Sequence, residues 1–590
     1  MGETRNGYLV SKALRSFMFA SVLASLAQRL ATMTDAIVVS NLIGPDAISA
    51  INIVTPITTL FPTLSILFGI GGSILAAKAI GRRDGKEANT VFTAAVLASV
   101  VSSAILTVIL FLLTPEIVAL ICPKESRLFD LAVSFMHIMS LGALPMVLGF
   151  TLQNFVKTDG NPRLVMFSVI SSTALNLVLD IIFIKYFGMG IAGSAWGTII
   201  CFLFSISVCL VHFRKAHNSF RIDWSMAKYR AKPQCSMVNV QWSIIKEGAP
   251  MSINTLMMGV CVFGFNSIVM HSLGADGMYV WSVCLQLLML VQLMLSGVGS
   301  SIYSIGGMLT GERDTTGLKI LMRRVLLYTG FPMLLLLVVI EVWPEAFGNL
   351  FGGHKSGVAE MLHEALRIFS LVLLPYAFIT VMNALYQLMG YRTASVVISI
   401  GQLVVMVLFA WLFALVSPTL LWWGYPASAI ILTAVVLATT WAIHLRRPEV
   451  DAVTLIPQTT EGKALNFSVR LSEKDVAEAL ERINGFLQEC NIPQTTAYNV
   501  QLCMEELLYN IAEYAVRNHP ERHYTDVHIR YSEHMVTLLL KDDGRPFNPI
   551  LRQTPEGMEH LGLRLVNGVC QSMTYKYMYD QNMVYMTFPI

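Results

Sequence analysis

Charge is what this 590-residue sequence has least of. Asp, Glu, Lys and Arg together make up 13% of it, against 55% hydrophobic residues, and the mean hydropathy is +0.61. Soluble globular chains carry about a quarter charged residues, so a wholly water-soluble protein of this size is excluded. A net charge of +3 is too small for an electrostatic footprint on nucleic acid. The nine cysteines include no Cys-x-x-Cys pair. That argues against zinc ribbons and dithiol redox motifs, and since most of the nine lie in apolar runs they read as free thiols. No Gly-x-x-x-x-Gly-Lys-[Ser/Thr] loop occurs, which excludes an ATP-binding-cassette pump. No small-residue cleavage site follows a short apolar core near the N-terminus, so the first apolar segment is expected to be a retained helix and not a signal peptide.

What is present divides in two. Apolar segments fill the chain to Arg446, and the remainder lacks them. Hydropathy predicts about twelve membrane spans, near 13–42, 46–74, 88–114, 130–155, 163–186, 190–213, 243–272, 276–303, 319–344, 362–390, 394–417 and 423–446. The loops after even-numbered spans hold Lys78, Arg82, Arg83, Lys86, Lys157, Arg163, a basic run from Arg214 to Lys232, then Arg313, Lys319, Arg323, Arg324 and Arg392. The opposite loops hold only Lys124, Arg127, Lys185 and Lys355, with Arg367 near the start of the tenth span. The positive-inside rule then places both termini in the cytoplasm, in a multi-pass cytoplasmic (inner) membrane protein.

Two stretches break the apolar pattern. Asn161–Thr198 contains a run long enough to span a bilayer, yet Asn176 and Asp180 sit in its middle, four residues apart and so on one helix face. The first span carries Asp35 after Thr32-Met-Thr34. Gln28 lies about two turns before Asp35 on roughly the same face, and Arg29 points some way round from it. An ionised carboxylate at membrane depth costs roughly 3 kcal/mol by insertion scales. Such an acid either bonds helices together or serves a cation or a proton. Two acids and an amide in one half favour the second role, and oxygen ligands suit sodium or a proton. An internal repeat is also visible: Gly69-Ile-Gly-Gly-Ser-Ile74 before Gly81-Arg-Arg-Asp84, and Gly297-Val-Gly-Ser-Ser-Ile302 before Gly311-Glu-Arg-Asp314. Two halves in one orientation, joined by a basic linker, form a transporter plan with the substrate cavity between them.

Over roughly residues 10–446 the chain resembles the multidrug and toxic compound extrusion (MATE) family. The resemblance is carried by Asp35 with Ser40-Asn-Leu-Ile-Gly44, Gly160-Asn-Pro162, Asn176-x-x-x-Asp180, Gly190-Ile-Ala-Gly-Ser-Ala195 with Thr198, and Tyr386-Gln-Leu-Met-Gly390. It implies an all-α polytopic fold of about 12 helices in two six-helix lobes (10–213 and 243–446, linker 214–242). It implies, too, export of cationic or amphipathic small organic compounds, driven by Na+ or H+. Asp35, Asn176, Asp180 and Thr198 match the family's N-lobe cation site. Spans seven, eight and ten carry no Asp or Glu in mid-helix, a departure that leaves the N-lobe as the coupling site.

The tail alternates strands and helices. Leu465–Leu471 reads as a strand, and Ser472 caps a helix with Asp475 three residues on. A second helix is expected from about Thr495 to Arg517, then a hairpin of Val527–Tyr531 and Val536–Leu540. A short helix, Leu561–Val569, precedes strands near Thr574–Tyr579 and Met583–Phe588. Three boxes stand in order: Glu506-Leu-Leu-Tyr-Asn510, Asp542-Asp-Gly544 and Leu561-Gly562-Leu563. With Tyr514-Ala515 and Pro546-Phe-Asn-Pro549, they make residues 465–590 similar to the GHKL (Bergerat-type) ATPase fold in its anti-sigma-factor serine kinase branch, a two-layer α/β domain. That resemblance implies magnesium-ATP as ligand. Asn510 would hold the metal, Glu506 would be the general base and Asp542 would bond the adenine amino group. Gly544 would permit close approach, and Gly562 and Leu563 would lie by the phosphates at a helix N-terminus. His560 stands where the branch has a glycine, so ATP binding is expected ahead of turnover.

The leading expectation is a cation-coupled antiporter, embedded among membrane lipids, with a cytoplasmic ATP-binding regulatory domain. The rival is a membrane-anchored protein-serine kinase that meets an anti-sigma antagonist or sigma-factor-like protein, the transporter-like half acting as sensor. A third is a catalytically dead interaction module.

Overall fold

The computed structural model describes residues 5–120, 122, 124–125, 128–214, 218–222, 237–350, 358–458, 463–470, 472–512, 523–532, 534–550 and 561–590. Two compact units result. The larger comprises Met18–Glu312 and Met322–Ile456, the smaller Met1–Phe17, Arg313–Leu321 and Pro457–Ile590.

Among the described residues, eleven helices are long and apolar enough to cross a membrane. The segment expected near 243–272 is helical too, but is not among the eleven. It forms the first part of a helix over Met237–Ser301 that breaks at Gly274, whose φ of 64° is open to glycine. The Gly85–Ala119 helix turns Val108, Phe111 and Leu112 outward. Its termini are polar, with Asp84 capping the first turn by accepting from the Glu87 amide. A helix apolar all round and exposed in its middle is built for lipid.

The repeat holds in three dimensions. Arg83 (φ 64°) and Arg313 (φ 57°) are left-handed at matching positions of the two copies, as are Gly160 (φ 84°) and Gly390 (φ 86°). Asp84 and Asp314 each cap the next helix, accepting from the Glu87 amide at 2.8 Å and the Gly317 amide at 2.7 Å. Each copy also contains a five-residue π-turn, Ile66–Ile70 and Ile302–Gly306.

The two copies touch backbone to backbone. A β-carbon on Gly71 would strike the carbonyl of Ile244, and one on Gly248 that of Leu67. Gly81 lies in the same way on Met308, and Gly311 on Lys78. Beside these contacts the buried Glu247 accepts from Arg392 at 2.8 Å, with the Lys78 ammonium at 3.7 Å.

The smaller unit holds a five-stranded sheet: β1 (Lys463–Arg470), β2 (Tyr524–Ser532), β3 (Met535–Asp542), β4 (Ser572–Met578) and β5 (Gln581–Pro589). The order is β1-β2-β3-β5-β4, antiparallel throughout. Ser472 caps the Glu473–Glu489 helix, accepting from the Asp475 amide as its spacing predicts. The strand residues Val469, Val527, Leu540 and Met586 share one core with Ile483 and Leu508 from the helices. The second helix is described from Gln494 to Asn510. Tyr514-Ala515 and His560 lie outside the described residues.

Candidate functional sites

The membrane site is built where the helices Pro162–Ile181 and Ile191–Phe213 pack closely. Gly193 and Gly197, four apart on the second of these, let the first approach. A β-carbon on Gly193 would stand 2.9 Å from that of Phe183, and one on Gly197 would stand 2.5 Å from Asp180 Oδ1. Asp180 is fully buried, and neither of its oxygens has a hydrogen-bond partner among the described residues. The Asn176 amide nitrogen, one turn before it, is likewise buried and unpartnered. Asp35 is the carboxylate whose charge acts on Asp180, and it accepts from Ser194 Oγ at 3.2 Å. Asp35, Asn176 and Thr198 line one cavity of about 410 Å³, with Gln28, Thr32 and Gln153.

Three groups singled out in the sequence thus meet at one cavity, with Asp180 buried beside it. Arg29 is exposed and forms no ion pair among the described residues; Asp35 turns to Ser194 instead. The one signal in the sequence for Gly197 is its place four residues after Gly193, on the same helix face. Buried carboxylates without donors are costly. Asp180 is in that position, and a proton or a hard cation would satisfy it.

In the smaller unit two clusters form. At the end of β3, Asp542 Oδ1 accepts from the Gly544 amide at 2.9 Å and from Asn582 Nδ2 at 2.8 Å. Its Oδ2 has no protein partner among the described residues. Burial pushes the Asp542 carboxyl up to about 6, against the two hydrogen bonds that pull it down. Asn582 organises the turn. Its Nδ2 donates to the Arg545 carbonyl, and its Oδ1 accepts from the Phe547 amide and the Tyr575 hydroxyl. No motif announced Asn582; it stands opposite Asp542 in the β3–β5 register.

In the second cluster, Asn510 Nδ2 donates to the Glu506 carbonyl and to Glu506 Oε1 at 2.8 Å. The Asn510 carbonyl oxygen is left for another ligand. Gly562 lies on the Glu506 carboxyl so closely that a β-carbon would overlap it. The backbone of Leu563 is helical, in the first turn of Leu561–Val569. Among the described residues no group of three or more His, Cys, Asp or Glu is placed to hold a metal; an Asn oxygen with nucleotide oxygens needs no such group.

A repeated helical membrane unit with a buried acid beside a cavity has the plan of a secondary transporter. The family follows from comparison with known proteins. The MatE family model matches residues 20–182 and 250–412, over half of the chain, and the chain belongs to that family. A histidine kinase-like ATPase domain matches residues 469–588. Among curated relatives, the probable multidrug resistance protein YoeA of Bacillus subtilis is 22% identical over 346 residues, 58% of this chain and 73% of its own length. The multidrug export protein MepA of Staphylococcus haemolyticus is 23% identical over 293 residues, 50% of this chain; the match spans 63% of that protein, under two thirds. Among solved structures, a MOP superfamily transporter from Pyrococcus furiosus superposes with TM-score 0.67 at 21% identity, covering 76% of this chain and all of the other. An outward-facing MATE transporter gives TM-score 0.65 at 21% identity over 74% of this chain and 97% of its own. These likenesses establish the fold. The chain is a multi-pass membrane protein of the MatE family with an ATPase-type domain at its C-terminal end.

Proposed function

We propose that the chain exports cationic or amphipathic organic compounds in exchange for sodium ions or protons, and that its C-terminal domain binds magnesium-ATP and regulates the exchange. The observation that carries the first part is the buried, unpartnered Asp180 beside Asp35 at a cavity. A buried carboxylate without a donor at membrane depth is unstable, so the site favours a cation or proton in one conformation and gives it up when a cationic compound competes. Asn176 and Thr198 supply neutral oxygens to the same space. The apolar lining accepts many ligands, in keeping with relatives named for multidrug export. The basic loops support cytoplasmic termini.

The second part rests on the fit of two clusters to a nucleotide. Asp542 keeps Oδ2 for an adenine amino group, and the Asn582 network holds its other oxygen still. Asn510 keeps its carbonyl oxygen for magnesium, and Gly562 opens a helix at the phosphate end. When bound, the nucleotide supplies a transferable phosphoryl group. Glu506, oriented by Asn510, is the general base for a water or a serine hydroxyl, which is what supports protein-serine kinase activity as the second reading.

The test is reconstitution of the full chain in liposomes with an imposed sodium or proton gradient. Ethidium transport is expected in the wild type and absent in Asp180→Asn. Retained transport in that variant sinks the coupling site. Binding of a fluorescent ATP analogue with magnesium is expected to be lost in Asn510→Ala; equal binding sinks the nucleotide reading.

A further inference from the structure

The smaller unit contains more than its ATPase-type domain. It also takes in the cytoplasm-proposed start of the first span and the loop that carries Asp314. Arg5 is the centre of this association. Its guanidinium donates to Asp526 on β2 from Nε at 3.0 Å and Nη2 at 2.9 Å, and to Asp314 from Nη1 at 2.5 Å. All three side chains are 3% exposed or less. The Asn6 amide donates to Ser468 Oγ on β1, which itself donates to Asp526. Gln581 on β5 donates to the Leu9 carbonyl at 2.8 Å. Tyr8 lies against Tyr524 and Phe17 against Tyr579. The chain's own residues 5–17 therefore cross the sheet from β1 to β5.

Two features say that this is a built junction. A buried ion triad offsets its desolvation only when every charge is well placed, and here each is. The repeat supplies an internal control. Asp84 and Asp314 are the same capping residue in two copies, yet Asp84 is exposed while Asp314 is buried against Arg5 with His528 nearby. One copy of the loop has been recruited to the ATPase-type domain and the other has not.

The junction also reaches the base-reading turn. Asp543, next in the chain to Asp542, is fully buried. Its Oδ2 accepts from Lys12 at 2.5 Å, and its Oδ1 meets His523 Nδ1 at 2.9 Å. One peptide unit separates the carboxylate assigned to adenine from the carboxylate that holds the first helix. That helix runs on from Tyr8 to Leu42 and carries Asp35.

We infer that residues 5–17 are the intramolecular partner of the ATPase-type domain, and that the Lys12–Asp543 ion pair couples nucleotide occupancy to the first membrane helix and hence to transport. This rests on the nucleotide reading given under Proposed function. Filling the Asp542 turn fixes its backbone, and Asp543 passes that constraint to Lys12. Coupling of this kind is reciprocal.

The experiment uses the full chain in liposomes, with magnesium and a fluorescent ATP analogue as nucleotide and ethidium as cargo. In the wild type, saturating magnesium-ATP is expected to change the ethidium transport rate at least threefold, and ethidium to change the nucleotide Kd in the sense that reciprocity requires. Lys12→Met is expected to bind nucleotide within threefold of wild type, to transport at the nucleotide-free rate and to lose both responses. Lys12→Arg is expected to restore them, which a merely structural lysine would not require. Nucleotide binding without any effect on transport in the wild type overturns this inference alone. A response that survives in Lys12→Met also overturns it, and so does its loss in Lys12→Arg with nucleotide still bound. Absence of nucleotide binding in the wild type overturns the nucleotide reading and this inference with it.

Discussion

Asp180 Oδ1 lies 2.5 Å from the point where a β-carbon on Gly197 would stand. The carboxylate occupies the space that the missing side chain vacates. Real β-carbons do not tolerate that distance, so Gly197→Ala must push the carboxylate away from its place. Ethidium transport by the full chain in liposomes is expected to fall at least tenfold, while the thermal midpoint changes little, since the movement also frees a buried acid. Unchanged transport would show that Asp180 acts from elsewhere.

Gly71 and Gly248 predict a conformational phenotype. A β-carbon at either position would meet a carbonyl of the opposite half, and alanine there forces the halves apart. Spin labels at Arg82 and Thr310 are expected to report one short distance in the wild type. In Gly248→Ala the distribution is expected to shift toward longer distances by several ångströms. A wild-type-like distribution in that variant would mean that the contact yields locally.

Asp542 predicts a trade of binding against stability. Its carboxyl protonates near 6 in the folded chain and near 3.8 in an unfolded one. The folded state thus holds the proton more tightly. Below pH 3.8 ionisation costs nothing; the cost grows from 3.8 to 6 and is constant above, at no more than about 3 kcal/mol. Asp542→Asn is therefore expected to melt higher than wild type at pH 7.5 and equally at pH 4, while losing nucleotide. In the wild type, nucleotide affinity is expected to fall as pH drops through 6, since the protonated acid is a poorer acceptor for an amino group.

His528 predicts acid sensitivity in the smaller unit. Burial, then the Arg5 charge, push its imidazole down to about 4, against the pull of Asp314. Above pH 6.5 it is neutral in both folded and unfolded chains and stability is whole. Between 6.5 and 4 only the unfolded chain takes up the proton, so stability falls with pH by up to about 3 kcal/mol. Asp314, held well below the usual carboxylate range by Arg5, His528 and Lys541 against its own burial, adds a loss only below about 3.8. Amide exchange on β2 in the full chain is expected to quicken from pH 6.5 to 5, and His528→Gln is expected to remove most of that dependence.

Sequence carried much of this. Asp35, Asn176 and Asp180 were legible because charge and amide in an apolar run have few reasons to be there. The strands and caps of the smaller unit were legible because alternation and Ser472 with Asp475 are local signals. The glycine contacts of the repeat were visible as a motif but not as an interface, since glycine spacing says nothing about which backbone it meets. Gly197 and Asn582 matter only through a neighbour on another element. Asp314 and Asp526 lie 309 and 521 residues from Arg5, beyond any pattern in the chain. The boundary expected between the spans near 243–272 and 276–303 falls where the backbone leaves helical geometry, at Gly274.

The Arg5 junction sets an order of events in making the protein. Asp526 is synthesised 521 residues after Arg5, which at about 5–20 residues per second is between roughly half a minute and two minutes. Asp314, 309 residues after Arg5, is made first, and Asp543, the partner of Lys12, comes only with the last domain. Only with the last domain do Asp526 and Asp543 complete the set of partners for Arg5 and Lys12. The start of the first helix is thus fastened last, so a variant at Arg5 or Asp526 is felt at the end of assembly and not at its beginning.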